Sequence, residues 1–284
     1  MKKFLIKKPK KDFNFIEFNY NIKGTRQKRI VIDKTGKKAF FKYEHFNYLC
    51  SEACSEKLCY EIAKIINYDC AKIEIAIDEE GNLGVLNYLF LNSSSIEHID
   101  AIAYLYKDNH ERKDFYKISN IKKSLDELDS TLFNDFIKIM IFDALVGEQD
   151  RHEENWGITK EGNKYKISPL YDNGCSLLRD FKDENYAKEY YSNRKDFDSF
   201  INKSKTYIYK ETENKRYKHF ELIKYLNKTY NNEVQKEIKK LNKLTDKKIE
   251  KIVNKIPDNL ITLEHKKFII MYLIKRRNIL LNIK

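Results

Sequence analysis

Short alternating blocks and one helical block fill the first third of the chain. Apolar and polar residues alternate over Arg29–Asp33 and again over Lys38–Tyr43, around Lys34-Thr35-Gly36-Lys37. That is the pattern of a β-hairpin. Residues 51–67 change period and place Leu58, Ile62, Ile65 and Ile66 on one helical face. A second hairpin is predicted from Lys72–Ile77, the Glu79-Glu80-Gly81-Asn82 turn and Leu83–Leu91. Sheet, helix and sheet together predict a small α+β lobe over residues 1–92.

The remainder, 93–284, predicts a larger helical lobe. Residues 93–129 are polar and weakly periodic, a connecting region with short helices. Ser130 then precedes Leu132, Phe133, Phe136, Ile137, Met140, Ile141, Ala144 and Leu145, and Gly147 follows. A serine at the N-cap and a glycine past the end bracket a helix that is apolar nearly all round, hence central and buried. A hairpin with Glu161-Gly162-Asn163 at its tip comes next. None of the eight glycines lies beyond Gly174, which predicts a tail of helices joined by modest loops. Its apolar positions, including Phe268, Ile269, Tyr272, Leu273 and Leu280, predict that it packs on the lobe.

Composition adds exclusions. Of the 284 residues, 42% are hydrophobic and 35% charged, enough apolar surface for a sizeable core and too much for a disordered chain. No run reaches the ~18 apolar residues of a membrane span. Residues 1–11 hold six lysines without the apolar stretch of a signal peptide. Five cysteines form no disulfide pattern, and the expected setting is the reducing cytoplasm. Cys50, Cys54 and Cys59, with His45 nearby, fit no standard zinc spacing and read as small buried thiols.

The net charge of +12 is uneven. Residues 1–43 carry 14 basic and 3 acidic side chains, residues 44–200 carry 19 and 31, and residues 201–284 carry 22 and 9. Basic ends around an acidic middle argue against a nucleic-acid footprint over the whole molecule, and the basic tail reads as the solvated side of lysine-rich helices. Direct nucleic-acid binding is not expected.

The chemistry concentrates after the buried helix, in Gly147-Glu148-Gln149-Asp150-Arg151-His152-Glu153-Glu154-Asn155-Trp156-Gly157, and after the following hairpin, in Leu170-Tyr171-Asp172-Asn173-Gly174. Phosphoryl transfer needs a carboxylate on the nucleophile, an amide oxygen and a second carboxylate for magnesium, and a lysine on the phosphates. Four residues separate Asp150 from Asn155, the interval that protein kinases use between catalytic Asp and metal-binding Asn. Asp172 stands where the metal-binding Asp of those enzymes stands. Lys42, at the end of a strand, would bind phosphate, and Glu56 in the next helix would pair with it. His152 reads as a hydrogen-bonding support of the loop, and Trp156 as packing behind it.

Asp150-Arg151-His152-x-x-Asn155 followed by Leu170-Tyr171-Asp172 resembles the catalytic and metal-binding segments of HipA-type bacterial serine/threonine kinases. Gly24-Thr25-Arg26-Gln27-Lys28 is similar to the short phosphate loop of that family. The resemblance runs in order over residues 22–180 and fits compact members without the extra N-terminal subdomain. It implies a two-lobed, protein-kinase-like α+β fold, with a small antiparallel-sheet N-lobe and a mostly helical C-lobe. It also implies ATP and Mg2+ as cofactors and a protein substrate with a Ser/Thr acceptor. A toxin or effector role with a possible antitoxin partner follows as well. ATP would lie between the lobes: Gly24, Thr25 and Lys28 over the phosphates, Lys42 and Glu56 beneath, adenine along Tyr88, Phe90 and Asn92, Asn155 and Asp172 on magnesium, and Asp150 on the acceptor. Self-phosphorylation of Thr25 is the implied off-switch.

Other readings stay open. The Asp-Arg-His order also resembles phosphoinositide kinases, which leaves a lipid acceptor possible. A phosphohydrolase using Asp150, His152 and Glu153 as metal ligands would need more than six histidines. A non-catalytic kinase-fold module binding through the basic tail is the third.

Overall fold

The computed structural model of the chain describes residues 2–8, 13–16, 28–33, 35–44, 52–91, 93, 95–105, 111–177, 185, 188 and 192–284. Gly24, Thr25, His45, Cys50 and Asn92 lie outside them.

Five antiparallel strands form the N-terminal sheet: β1 (Phe13–Ile16), β2 (Lys28–Asp33), β3 (Lys38–Tyr43), β4 (Ile73–Ile77) and β5 (Leu83–Tyr88). Their spatial order is β1-β2-β3-β5-β4. Both expected hairpins are present, although the last strand ends at Tyr88 rather than at Leu91. The helix α1 (Glu52–Ile66) packs on one face and buries Leu58, Ile62 and Ile66. Strand alternation divides β3 between two environments. Ala39 and Phe41 join Val31, Ala76, Leu86 and Tyr88 in a small cluster on one face, while Lys42 points to the other, toward α1. β5 passes close beneath it: a Cβ on Gly84 would lie 2.3 Å from the carbonyl oxygen of Lys42, so only glycine fits there.

The segment read as a connector contains a strand. β6 (Ile96–Asp100) pairs antiparallel with β7 (Gly157–Glu161), which pairs with β8 (Lys164–Ile167). Its partner lies some sixty residues on, so local periodicity could not announce it. Short helices α2 (Ile102–Leu105), α3 (Arg112–Phe115) and α4 (Ile118–Asp126) follow.

The central helix α5 (Leu132–Val146) buries twelve of its side chains. Its start differs from the expected Ser130 cap. The flanking residue is Thr131, and Asp129 Oδ1 accepts hydrogen bonds from the Thr131 N–H and Oγ1–H, both at 2.8 Å. Its end is as read: Gly147 adopts φ 74° and donates its N–H to the carbonyl of Asp143.

The tail is helical, as expected, but not wholly. After α6 (Arg194–Lys203) comes a two-stranded ribbon, β9 (Lys205–Tyr209) and β10 (Arg216–Lys218). Then come α7 (His219–Thr229), α8 (Asn231–Lys240), α9 (Asp246–Val253) and α10 (Leu263–Leu281); α7, α8 and α10 pack on α5, and α9 packs on α1 and α10. Thr245 and Thr262 cap α9 and α10 by accepting from the N–H groups of Lys248 and His265. Phe268, Ile269, Tyr272, Leu273 and Leu280 are buried, joining the main core with α5 and α1. The N-terminal segment ties the lobes together: the Phe4 N–H donates to Lys255 O, and Lys7 exchanges bonds with Ile75 and Ile77 of β4. Among the described residues, no helix is long and apolar enough to cross a membrane.

Candidate active site

Strand β3 and helix α1 bring Lys42 and Glu56 together. Lys42, 6% exposed, places Nζ 3.1 Å from Glu56 Oε1 and 2.7 Å from Asp172 Oδ1. The other oxygen of Glu56 accepts from the Asn173 N–H at 3.2 Å. Two ion pairs sharing Lys42 therefore link the N-lobe sheet, α1 and the segment after β8. Asp172 is held at φ 51°, a left-handed conformation uncommon outside glycine that Asp tolerates better than most residues. Lys28 opens β2 directly across from Lys42 in the strand register.

The loop after α5 carries Asp150, His152 and Asn155. The Asp150 carbonyl accepts twice, from the His152 N–H at 2.8 Å and from Asn155 Nδ2 at 2.8 Å. His152 Nδ1 accepts from the Glu154 N–H at 3.2 Å. His152 is thus bonded to the loop backbone at both its ring and its N–H. The Asp150 carboxylate lies 3.6 Å from Cys175 Sγ. Among the described residues no hydrogen bond reaches Asn155 Oδ1, because the amide nitrogen is the end turned toward Asp150.

Two buried carboxylates beneath the loop were not anticipated. Glu148 Oε1 accepts from the Asp150 N–H at 2.7 Å. Burial pushes the Glu148 carboxyl up to about 8, against the pull of Arg151 and with the help of Asp143. Asp143 comes from the buried face of α5 and receives Arg151 on both oxygens, at 3.0 to 3.3 Å. The same guanidinium donates to Asn155 O at 2.8 Å, to Tyr171 O at 2.6 Å and to Asn173 Oδ1 at 2.6 Å. Burial opposes the charge of Arg151, but Asp143 beside it holds its pKa above the ordinary arginine value. Trp156 lies behind: its Nε1–H donates to the Tyr116 hydroxyl, which donates to Arg151 O. A lone carboxylate in an otherwise apolar helical stretch was the available signal for Asp143, since a buried charge needs a partner.

The segment expected to receive adenine starts where β5 ends. Tyr88 is the last residue of β5, its ring is buried under Lys72, and its N–H already bonds Lys72 O. Phe90 beyond it packs against His98 and Tyr171, with ring centroids 5.4 and 6.0 Å apart. Of the cysteines, Cys54 and Cys59 are buried thiols outside any disulfide, and no group of three metal-binding His, Cys, Asp or Glu side chains occurs among the described residues.

Comparison with known proteins bears on the fold and the family. The fold is similar to the crystal structure of the Helicobacter pylori proinflammatory kinase CtkA, with a TM-score of 0.76 at 18% identity, covering 90% of this chain and 92% of that one. It is also similar to HipA from the Shewanella oneidensis MR-1 toxin–antitoxin complex with HipB and operator DNA. There the TM-score is 0.58 at 12% identity, and the match covers 92% of this chain but 64% of the longer relative. At such identities the likeness establishes a shared fold. No curated protein sequence matches the chain. The model of the HipA-like C-terminal domain, however, matches residues 20–259, most of the chain and both lobes. The chain belongs to the HipA-like C-terminal domain family.

Proposed function

We propose that this chain is a protein kinase that transfers the γ-phosphate of ATP, with magnesium, to a serine or threonine hydroxyl of a protein. The observation that carries this reading is Lys42, which contacts Glu56 and Asp172 at once. A lysine held so, one carboxylate in a helix and another in a loop beside an Asp/Asn pair, is the arrangement that protein kinases use on nucleotide phosphates.

The donor set fits magnesium. Asn155 Oδ1 and the Asp172 carboxylate are hard oxygen donors, and magnesium is commonly held by one or two such groups with phosphates and water completing the shell. Magnesium there would neutralise charge on the transferring phosphoryl group. Lys42, steadied by Glu56, binds the α- and β-phosphates, to which Gly24, Thr25 and Lys28 are also assigned. Adenine lies along the chain beyond Tyr88, beside Phe90 and Asn92. Asp150 orients the acceptor hydroxyl and takes its proton. The acceptor oxygen bonds to the γ-phosphorus, the bond from phosphorus to the β–γ bridging oxygen breaks, and ADP leaves with that electron pair. His152 keeps the loop backbone in place.

Family membership supports a cytoplasmic role as the toxin of a toxin–antitoxin pair with its own protein partner, and self-phosphorylation at Thr25 as its control. Calorimetry tests the site assignment. Asp172→Asn should weaken magnesium-dependent ATP binding, whereas Asp150→Asn should leave it nearly intact and abolish transfer. Unchanged Mg-ATP affinity in Asp172→Asn removes that residue from the metal site.

A further inference from the structure

The ribbon β9–β10 lies against the catalytic loop. Tyr207 of β9 lies close enough to the Asp150 carboxylate that, after burial, this negative charge helps push its hydroxyl above the ordinary tyrosine value, and its ring meets His152 edge-on at 5.7 Å. Two guanidinium groups lie over the same ring, Arg112 at 5.2 Å and Arg216 at 4.8 Å. Arg112 is committed to the buried Glu153, at 2.8 Å. Arg216 is half-buried and forms no ion pair among the described residues, and neither does the exposed Lys205 at the start of β9. The Lys205 N–H donates to Gln149 Oε1, next to Asp150.

A guanidinium resting on an aromatic ring is held by the ring quadrupole, which fixes its plane while leaving its fork of N–H donors available. That is a prepared seat for a carboxylate, which can accept two of those hydrogens with little further ordering. The lysine assigned to the nucleotide comes from the N-lobe sheet. The arginines over Tyr207 come from the C-lobe and reach the reaction centre through Asp150, the group assigned to the acceptor.

We infer that Arg216, seated on Tyr207 beside Asp150, reads an acidic side chain near the acceptor hydroxyl. The preferred substrate is then a polypeptide whose serine or threonine is flanked by Asp or Glu. This rests on the kinase reading above and names its substrate class. A lipid headgroup is the less suitable occupant. The exposed large apolar side chains among the described residues, Leu5, Leu91, Leu263 and Met271, belong neither to the ribbon nor to the catalytic loop, so neither presents a large apolar anchor for a bilayer.

Two measurements separate this inference from the kinase reading. The first is fluorescence anisotropy of labelled serine peptides with Glu, Gln or Lys flanks, bound to the full chain with ADP and magnesium. The Glu peptide should bind about tenfold more tightly than the Gln peptide, and the Lys peptide most weakly. Arg216→Ala should remove most of that preference, and Arg216→Glu should reverse it. The second is transfer from labelled ATP to the same peptides and to phosphatidylinositol vesicles, where the Arg216 variants should raise the KM for the Glu peptide and not the KM for ATP. Equal binding of the three peptides, a preference untouched by the Arg216 variants, or labelling of vesicles in place of peptides overturns the inference. An Arg216-dependent preference without transfer to any acceptor supports the acidic subsite and overturns the kinase reading instead.

Discussion

Arg151 donates to Asn173 Oδ1 at 2.6 Å, and this bond fastens the loop that holds Asp150 to the segment that holds Asp172. The same guanidinium anchors on Asp143 in the central helix and reaches the carbonyls of Asn155 and Tyr171. The positions of both proposed magnesium ligands thus depend on one buried side chain that touches neither substrate nor metal in the proposed mechanism. Arg151 is a positioning residue.

Arg151→Lys should therefore fail despite keeping the charge, because an ammonium cannot span four separate acceptors. Each buried acceptor left unpaired costs about 1–3 kcal/mol, and two or three of them lower Tm by roughly 10 °C in a chain of this size. The variant should also require more magnesium for half-maximal activity, which simple destabilisation would not produce. Thermal denaturation and a magnesium titration check both. A variant with wild-type Tm and magnesium dependence would contradict the assignment.

Much of the site was legible because its parts are local. Asp150, His152 and Asn155 lie within one turn of chain, and hydrophobic periodicity placed the buried helix that presents them. Lys42 and Glu56 could be paired because a hairpin and the following helix are short-range elements with clear periods. The rest depended on distant pairing. β6 shows no local alternation strong enough to mark it, and its register is set by β7. The ribbon that carries Tyr207 and Arg216 was hidden in a lysine-rich stretch that reads equally well as a solvated helix face. Asp143 and Arg151 were visible as residues, but their bond follows from the way the loop folds back under α5.

Glu148 predicts a pH dependence. Burial raises its carboxyl from 4.5 to about 8. Between those values the folded chain keeps a proton that the unfolded chain has released. Its stabilising contribution is therefore complete below about pH 4.5 and is lost as pH rises through about 8. Glu148→Gln keeps an acceptor for the Asp150 N–H and carries no titrating proton. The stability of the wild type relative to this variant should fall across that window by up to a few kcal/mol, measured by urea denaturation at several pH values. Parallel stability curves would refute it.

The tail is expected to be inseparable from the catalytic lobe. Arg276 of α10 is fully buried and donates to Ala144 O and Ser204 Oγ, both at 2.8 Å. A Cβ on Gly147 would stand 1.9 Å from the Tyr272 hydroxyl, at a φ of 74°. Gly147→Ala should cost about 3 kcal/mol or more through the clash and the left-handed backbone, and truncation after residue 200 should give insoluble protein. A soluble, ATP-binding fragment ending there would contradict this packing.

Phosphoryl transfer through Asp150 is the reaction proposed for this site. Incubation with γ-labelled ATP and a cell lysate, with and without magnesium, followed by phosphoamino-acid analysis, tests it most directly. Magnesium-dependent label on serine or threonine is expected with the wild type, and at least a ~100-fold loss with Asp150→Asn. Label of equal intensity from Asp150→Asn, or none from a wild type that binds Mg-ATP, would contradict it.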